Sequence, residues 1–401
     1  MTEVKLRICV FSRSMRQHSS YHTPALARIA RVLRDLGHEV TALTTSLPEG
    51  KAGILQEDGC QVHYLAGTNW RRSDKDFWRA SAAEFDRLHA ERPFDLVVGR
   101  GSSTWGFFAH SRNAGAVPVV SHQGTYPRWL HQLESRLGAV ARWIAYPLAL
   151  VYAPGNRRVG HCLQRSDRVV CNSPQLADAF RRAYWWHPPR TVWVTYGVDL
   201  TPFHPAAPQP GQPPRLLSLG RLTWDKGILP MIDMLARLKN REAVLEAVGP
   251  ATPRVRQAVL ARAARQGVSA RYSAPGPIPN QDVPGRMAGA AAFIFPSTHA
   301  EGLPKVVLEA MSAGVPVVAY RLPVLEGLIE DGVAGFQVPI RSVAAMAERV
   351  DLLLSDPDLA AQMGAAARHK IETEFTPKAI NAKWQVLLAE VVAEAKLRQP
   401  R

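Results

Sequence analysis

The feature that most constrains this chain is the regular alternation of short, branched apolar runs with longer runs of helical period. "LRICVFS" passes into "TPALARIARVLRDLGHEV", where Ala27, Ile29, Ala30, Leu33 and Leu36 recur at helical spacing until Gly37 ends the run. "DLVVG", "VPVVSH" and "DRVVCNS" follow as strand-like segments, then "SPQLADAFRRA" as a helix and "TVWVTYGVD" as a further strand. Strands alternating with helices of this size predict an α/β fold whose parallel sheets are covered on both faces.

Between Asp199 and Arg215 the text changes to "LTPFHPAAPQPGQPPR". Its six prolines and one glycine suit neither a helix interior nor a central strand. The alternation then restarts with "RLLSLGRLTWDKGILPMIDMLARLK". A chain of 401 residues can bury two cores of ordinary size. The expected organisation is a Rossmann-like domain over 1–200, a Pro-rich linker over 201–214, a second Rossmann-like domain over 215–375 and a helix over 376–401, with a cleft between the domains.

Composition narrows the class. At 46% hydrophobic and 21% charged residues the chain reads as globular, not disordered or fibrous. Cys9, Cys60, Cys162 and Cys171 show no CxxC spacing and read as reduced residues of a cytoplasmic protein. The N-terminal apolar run is too short for a secretory signal. "LGAVARWIAYPLALVYA" (137–153) carries Arg142 and Pro147 and falls short of the roughly 20 residues that a spanning helix needs. A formal charge of +15 asks for an acidic partner: a phosphorylated small molecule, an anionic membrane surface or nucleic acid. A generally basic solvated surface would give the same number.

Two loops of the second half carry the chemistry. In open parallel sheets ligands gather beyond the C-terminal ends of strands. In "SLGRLTWDKG", Arg221 and Lys226 stand between the strand Leu216–Ser218 and a helix beginning near Gly227–Pro230, and two cations beside a helix N-terminus suit a pyrophosphate. In "FPSTHAEGLPKVVLEAMSAGVPVVAY", the strands Ala291–Phe295 and Val315–Ala319 flank a helix expected over Pro304–Ala313, with Gly314 just past its end. Glu301 precedes that helix, where it can accept bonds from sugar hydroxyls while the amides of Gly302 and Leu303 hold a phosphate. Glu309 sits among Val306, Val307, Leu308, Ala310 and Met311, so it needs either solvent or a hydrogen-bonding ligand such as a ribose diol.

Glu301, followed by Gly302 and Pro304 and then by Glu309, resembles the EX7E motif of retaining GT-B glycosyltransferases of family 4. The resemblance covers nearly the whole chain: "GRLTWDKG" is similar to that family's donor-phosphate loop, "SDRVVCNS" and "YGVD" to the strands closing its first domain, and "LLSDPDLAAQMGAAAR" to its late helix. It implies the GT-B fold, two Rossmann-like domains facing across a cleft, with the C-terminal helix returning to the first. It implies that Arg221 and Lys226 hold the donor diphosphate and stabilise the charge growing on it, that Glu301 binds the donor sugar and Glu309 the ribose, and that His122 in "SHQGTY" stands near the donor sugar. Catalytic roles then fall to Glu301, His122, Arg221 and Lys226, and donor binding to Arg221, Lys226, Gly302, Leu303 and Glu309. His122 also has a reading as a core or capping histidine.

Departures are visible. The family's Gly-Gly loop after the first strand is here "SMRQHSSYHT", without glycine, and its "NGVD" is "YGVD", with Tyr196 in place of Asn. Ser19 and Ser20, with Arg100, are the candidate contacts on the acceptor side. Asp356-Pro357-Asp358 imitates a metal-binding DxD, but it opens a helix and reads as a cap with acidic first-turn residues. No metal and no cofactor is therefore expected.

The segment Tyr126–Arg165, rich in arginine and aromatic rings, suits a membrane interface and a lipid-diphosphate acceptor, and equally a helix pair packed on the first domain. "NWRRSDKDFWRA" (69–80) is ambiguous in the same way. The expected function is transfer of a sugar from a UDP- or GDP-sugar to a sugar or lipid-linked acceptor hydroxyl, in the cytoplasm or peripherally on the inner face of an anionic membrane, without nucleic acid. A phosphorylase or sugar-nucleotide epimerase on the same fold, and a basic module binding nucleic acid or a membrane, stay open beside it.

Overall fold

A computed structural model describes residues 5–15, 25–47, 50–69, 74–123, 154–184, 187–208, 211–299 and 301–398. The chain divides into two units, Met1–Tyr196 with Ile380–Arg401, and Gly197–Ala379.

The first unit is built on the strands β1 (Arg7–Phe11), β2 (Glu39–Thr45), β3 (Gly53–Glu57), β4 (Cys60–Leu65), β5 (Leu96–Arg100), β6 (Val119–Gln123), β7 (Arg168–Cys171) and β8 (Thr191–Trp193). They form one sheet in the order β3-β4-β2-β1-β5-β6-β7-β8. Every described pairing is parallel except the hairpin of β3 with β4. From β1 the chain builds outward in one direction through β2 and in the other through β5, so the sheet reverses its order between β1 and β5.

Helices α1 (Ala25–Asp35), α2 (Asp74–Glu91), α3 (Trp105–His110), α4 (Pro154–Arg165) and α5 (Pro174–Ala183) connect these strands. Alternate residues of the central strands enter two different cores, as a pleated strand requires. Ile8, Val10, Leu96, Val98, Val120 and Val170 join Leu26, Ile29, Ala30 and Leu33 of α1 on one face. Cys9, Phe11, Val97 and Val119 join Phe77, Trp78 and Phe85 of α2 and Phe107 of α3 on the other. The four cysteines are unpaired and buried, and burial pushes the Cys162 and Cys171 thiols up to about 12.

The second unit carries β9 (Arg215–Leu219), β10 (Val244–Val248), β11 (Tyr272–Gly276), β12 (Ala292–Phe295), β13 (Val317–Tyr320) and β14 (Gly335–Val338). Its sheet is parallel throughout, in the order β11-β10-β9-β12-β13-β14. Here the order reverses between β9 and β12. The helices are α6 (Ile228–Arg237), α7 (Pro253–Arg265), α8 (Val283–Met287), α9 (Lys305–Ser312), α10 (Pro323–Glu326), α11 (Val343–Ser355) and α12 (Pro357–Glu374).

Local differences from the sequence expectation have local causes. The helix expected over Pro304–Ala313 is α9, Lys305–Ser312, because Pro304 takes an extended ψ of 108° and stands at the N-cap instead of the first helical position. Gly314 follows at φ 69°, the left-handed geometry that ends a helix. Asp356 caps α12, its carboxylate accepting the N–H of Leu359 at 2.9 Å. The Pro-rich stretch expected as a linker over 201–214 packs on the second unit: Phe203 is buried and its carbonyl accepts from Arg368 at 2.7 Å.

The last helix, α13 (Pro377–Arg398), returns to the first unit. Ile380, Trp384, Leu387, Leu388 and Val391 enter the same core as Ile8, Val10 and Leu96. Glu394 on this helix accepts from Arg168 and from Arg190, the latter at 2.7 Å. Among the described residues no helix is long and apolar enough to cross a membrane. Most of Tyr126–Arg165 lies outside the described residues, as does 70–73 of the second basic segment.

Candidate functional site

Pairing of β9 with β12, Leu216 opposite Ala292 and Leu217 opposite Phe293, sets their following loops side by side at the point where the sheet order reverses. Crevices for ligands open at such points in parallel sheets. The loop after β9 tightens into a 3-10 turn, Trp224–Lys226, closed by Gly227 at φ 77°. A Cβ at Gly227 would stand 2.2 Å from the carbonyl oxygen of Pro296, so only glycine lets the loops approach this closely. The N–H of Thr298 donates to the carbonyl of Asp225 at 2.8 Å and joins them.

Side chains then meet across the seam. The Lys226 ammonium pairs with Glu301 Oε1, which also accepts from Ser297 Oγ at 2.7 Å. Lys226 Nζ lies 5.7 Å from the centre of the Phe295 ring. His299 Nδ1 stands 2.8 Å from Asp225 Oδ2, and Thr223 Oγ1 donates to the other oxygen of the same carboxylate. Burial pushes the Asp225 carboxyl upward, but the Thr223 hydroxyl and His299 more than offset it and hold it below the usual carboxylate range.

Arg221, on the same loop, is exposed and has no carboxylate partner among the described residues. Glu309 is 5% exposed. Its one cationic neighbour among the described ion pairs is Lys305, one turn earlier at 2.6 Å. Burial raises the Glu309 carboxyl above the ordinary range, and Lys305 offsets that only in part.

The structure therefore brings Lys226 and Glu301 together, with Arg221 on the same loop and Glu309 on the helix that follows. The amides of Gly302 and Leu303, to which the sequence points, precede the extended Pro304; α9 begins after it, and Val307 N–H reaches the Pro304 carbonyl at 3.0 Å. The N–H groups of Lys305 and Val306 are left without a backbone acceptor among the described residues. Ser297, His299, Asp225, Thr223 and Lys305 belong to this constellation and do not stand out in the sequence. Their signal is adjacency, Asp225 to Lys226 and His299 to Glu301.

His122 and Arg100 lie in the first unit, opposite each other in the β5–β6 ladder. His122 is 5% exposed, and its Nδ1 has no hydrogen-bond partner among the described residues. Burial, then the charge of Arg100 and that of Arg28, outweigh the neighbouring Asn172 and push the imidazole down to about 3, so it is neutral at physiological pH. Ser19 and Ser20 lie outside the described residues. Among the described residues no cluster of three or more His, Cys, Asp or Glu side chains could hold a metal ion.

Residues 22–197 match the family described as Glycosyl transferase 4-like domain, and residues 201–370 match Glycosyl transferases group 1. Glycogen synthase of Mycobacterium tuberculosis is 28% identical over 71% of this chain and 66% of its own length. The chain spans less than two thirds of the length of several curated relatives, 60% for alpha-maltose-1-phosphate synthase of Mycolicibacterium smegmatis, to which it is 28% identical over 53% of its residues. Among solved structures, sucrose-phosphate synthase of Thermosynechococcus elongatus superposes with a TM-score of 0.77 over 97% of this chain and 100% of that one, at 19% identity. HepE of Anabaena, solved in complex with UDP, superposes with a TM-score of 0.71 over 96% of this chain and 100% of that one, also at 19% identity. This chain thus carries, in order, a glycosyl transferase 4-like domain and a glycosyl transferases group 1 domain, on the fold of the GT-B glycosyltransferases.

Proposed function

We propose that the protein transfers a sugar from a nucleoside-diphosphate-sugar to an acceptor hydroxyl, with retention at the anomeric carbon and without a metal. The observation that carries this reading is the cluster at the β9–β12 reversal: Lys226 on Glu301, Arg221 with no carboxylate partner among the described residues, Glu309 buried, and the start of α9 beside them. Two cations and two open amides suit a leaving diphosphate, and two carboxylates suit hydroxyl-rich parts of the same ligand. A polyanion-binding module would have no use for those carboxylates. HepE, with the same fold, is solved with UDP and with UDP-glucose, which supports a nucleotide-sugar donor here.

In this reading Arg221 and Lys226 neutralise the diphosphate as the glycosidic bond breaks. Glu301 turns from Lys226 to the donor sugar, and Glu309 binds the ribose. Attack from the face the diphosphate is leaving lets a phosphate oxygen take the acceptor proton, so no side-chain nucleophile is required. His122, neutral and buried, serves as a hydrogen-bonding group near the sugar. The reaction belongs in the cytoplasm, with the acceptor a sugar or a lipid-linked precursor.

The test is a thermal-shift screen of the purified chain against UDP, GDP, ADP and their sugar conjugates, with Mg²⁺ or with EDTA, followed by NMR of the product's anomeric configuration. One nucleotide should raise the melting temperature equally in both conditions, with the effect lost in Lys226→Ala and Glu309→Ala. No shift with any nucleotide, an inverted product or a requirement for Mg²⁺ would each sink the corresponding part of the reading.

A further inference from the structure

The first unit has its own reversal of strand order, between β1 and β5, and three nitrogen-bearing side chains gather there. Arg100 ends β5 and His122 lies beside it in β6. In a parallel ladder, residues directly opposite point to the same face. That face is the one α1 covers, because Val98 and Val120, two positions earlier in each strand, pack with Leu26 and Ile29 of α1. Arg28, in the first turn of α1, reaches the same end of the sheet, its guanidinium 4.9 Å over the ring of Tyr196.

The backbone at Arg100, the Arg28 guanidinium and the His122 ring are each held in place. The turn after β5 is tight: Gly101 has φ 57°, the Arg100 N–H donates to Ser103 Oγ at 2.7 Å, and the Ser103 N–H donates to the Arg100 carbonyl at 3.0 Å. Stacking on Tyr196 fixes the plane of the Arg28 guanidinium. His122 is nine-tenths buried, and its Nδ1 lacks a partner among the described residues.

No carboxylate among the described residues pairs with Arg28 or Arg100, whereas Arg7, Arg31 and Arg168 of the same unit pair with Glu39, Asp58 and Glu394. The loop sequence leading into α1, residues 13–24, contains no acidic residue either. Two guanidinium groups without a carboxylate partner among the described residues, both acting electrostatically on one buried ring with an unused hydrogen-bonding nitrogen, are an arrangement that a phosphate oxygen cluster satisfies.

We infer that Arg28 and Arg100, beside His122, form an anion subsite in the first unit that takes the phosphate group of a phosphorylated acceptor. Naming the ligand an acceptor rests on the proposed transfer reaction; the existence of the anion subsite does not. A diphosphate of the donor has the same chemistry and is the rival occupant.

The experiment titrates inorganic phosphate, followed by ³¹P NMR, into the full chain saturated with UDP or GDP, whichever binds, and repeats it with Arg28→Met and Arg100→Met. Each methionine variant keeps an apolar stem and is checked for an unchanged melting temperature. Phosphate should bind the nucleotide-saturated protein, at least tenfold more weakly in each variant, while nucleotide affinity stays within twofold. Should a methionine variant fail to fold, the lysine variant at that position keeps the charge without the fork and should still lose severalfold. Absence of phosphate binding, or wild-type binding in both variants, overturns the subsite. A matching loss of nucleotide affinity assigns it to the donor's diphosphate and overturns the acceptor assignment. If no nucleotide binds at all, the donor reading fails, and the phosphate titration is read on the unliganded chain.

Discussion

Lys226 and Glu301, seventy-five positions apart in sequence, are ion-paired across the seam between the loops that follow β9 and β12. Ser297 donates to the same carboxylate oxygen at 2.7 Å. In the proposed reaction a diphosphate and a sugar hydroxyl compete for these two groups, so the unliganded site keeps both charges compensated until a ligand with both features arrives. The two partners should respond differently to substitution. Lys226→Met should weaken nucleoside-diphosphate binding at least about tenfold, the loss expected of a charge-assisted bond. Glu301→Gln releases the ammonium and should leave that affinity unchanged or tighter, while kcat falls roughly 100-fold or more. Calorimetry with the nucleotide and initial rates of transfer separate the two; a parallel loss of affinity in both variants would contradict this division of roles.

Glu309 should make the protein less stable as pH rises. Burial raises its carboxyl above the ordinary value of 4.5, so between that value and its native one the folded state holds a proton that the unfolded state has lost. The resulting penalty is absent at low pH and grows as the pH climbs above the ordinary carboxylate range. Melting curves of Glu309→Gln and the parent, recorded from pH 4 to pH 7, should show the variant gaining relative to the parent toward pH 7. A difference that does not change with pH would mean the carboxylate is solvated in the folded chain.

His122 has the opposite sign. Its native value of about 3 lies below the unfolded 6.5, so its contribution to stability is complete above 6.5 and is lost as pH falls toward 3. Acidification from pH 7 to pH 4 should cost the parent roughly 3 kcal/mol through this residue. His122→Gln should flatten that part of the profile in denaturant titrations, and an unchanged slope would show that the ring protonates freely in the folded state.

Gly227 is expected to tolerate no side chain. Alanine there would combine a left-handed backbone with a Cβ driven to 2.2 Å from the Pro296 carbonyl. Gly227→Ala should destabilise by about 2 kcal/mol or more and should weaken nucleotide binding as well, because separating the loops moves Lys226 from Glu301. By contrast Gly211, also at positive φ but with nothing within 4 Å of where a Cβ would stand, should lose only the backbone contribution on substitution by alanine, roughly 1 kcal/mol, and no affinity. Equal effects at the two positions in thermal and binding assays would remove the argument from close approach.

The α/β alternation is legible in the sequence because a parallel strand buried on both faces has to be short, apolar and branched: β12 is AFIF and β13 is VVAY. Strand ends are less so. Val315 and Pro316 continue the apolar run, yet the ladder starts at Val317, since Pro316 has no N–H to give and serves only as the acceptor for Phe293. Arg221, Lys226, Glu301 and Glu309 can be picked out from the sequence, but the ion pair between the middle two cannot. It depends on β9 lying next to β12 while β10 and β11 build away on the other side, and local spacing carries no record of strand order. The His299–Asp225 pair is hidden for the same reason, because each residue alone reads as a solvated loop side chain.

The return of α13 sets an order of events during synthesis. Ile8, Val10, Leu96 and Val98 leave the ribosome early, but Ile380, Trp384 and Leu388, which share their core, follow only after all of Gly197–Ala379 has been translated. The first unit to emerge is thus the last to be finished, and in the interval it holds an open apolar sheet face through the making of an entire second unit. Such a nascent chain is a natural client for ribosome-associated chaperones. A chain cut short just after Ala379 would have a second unit with its sheet complete and a first unit with its core unsealed.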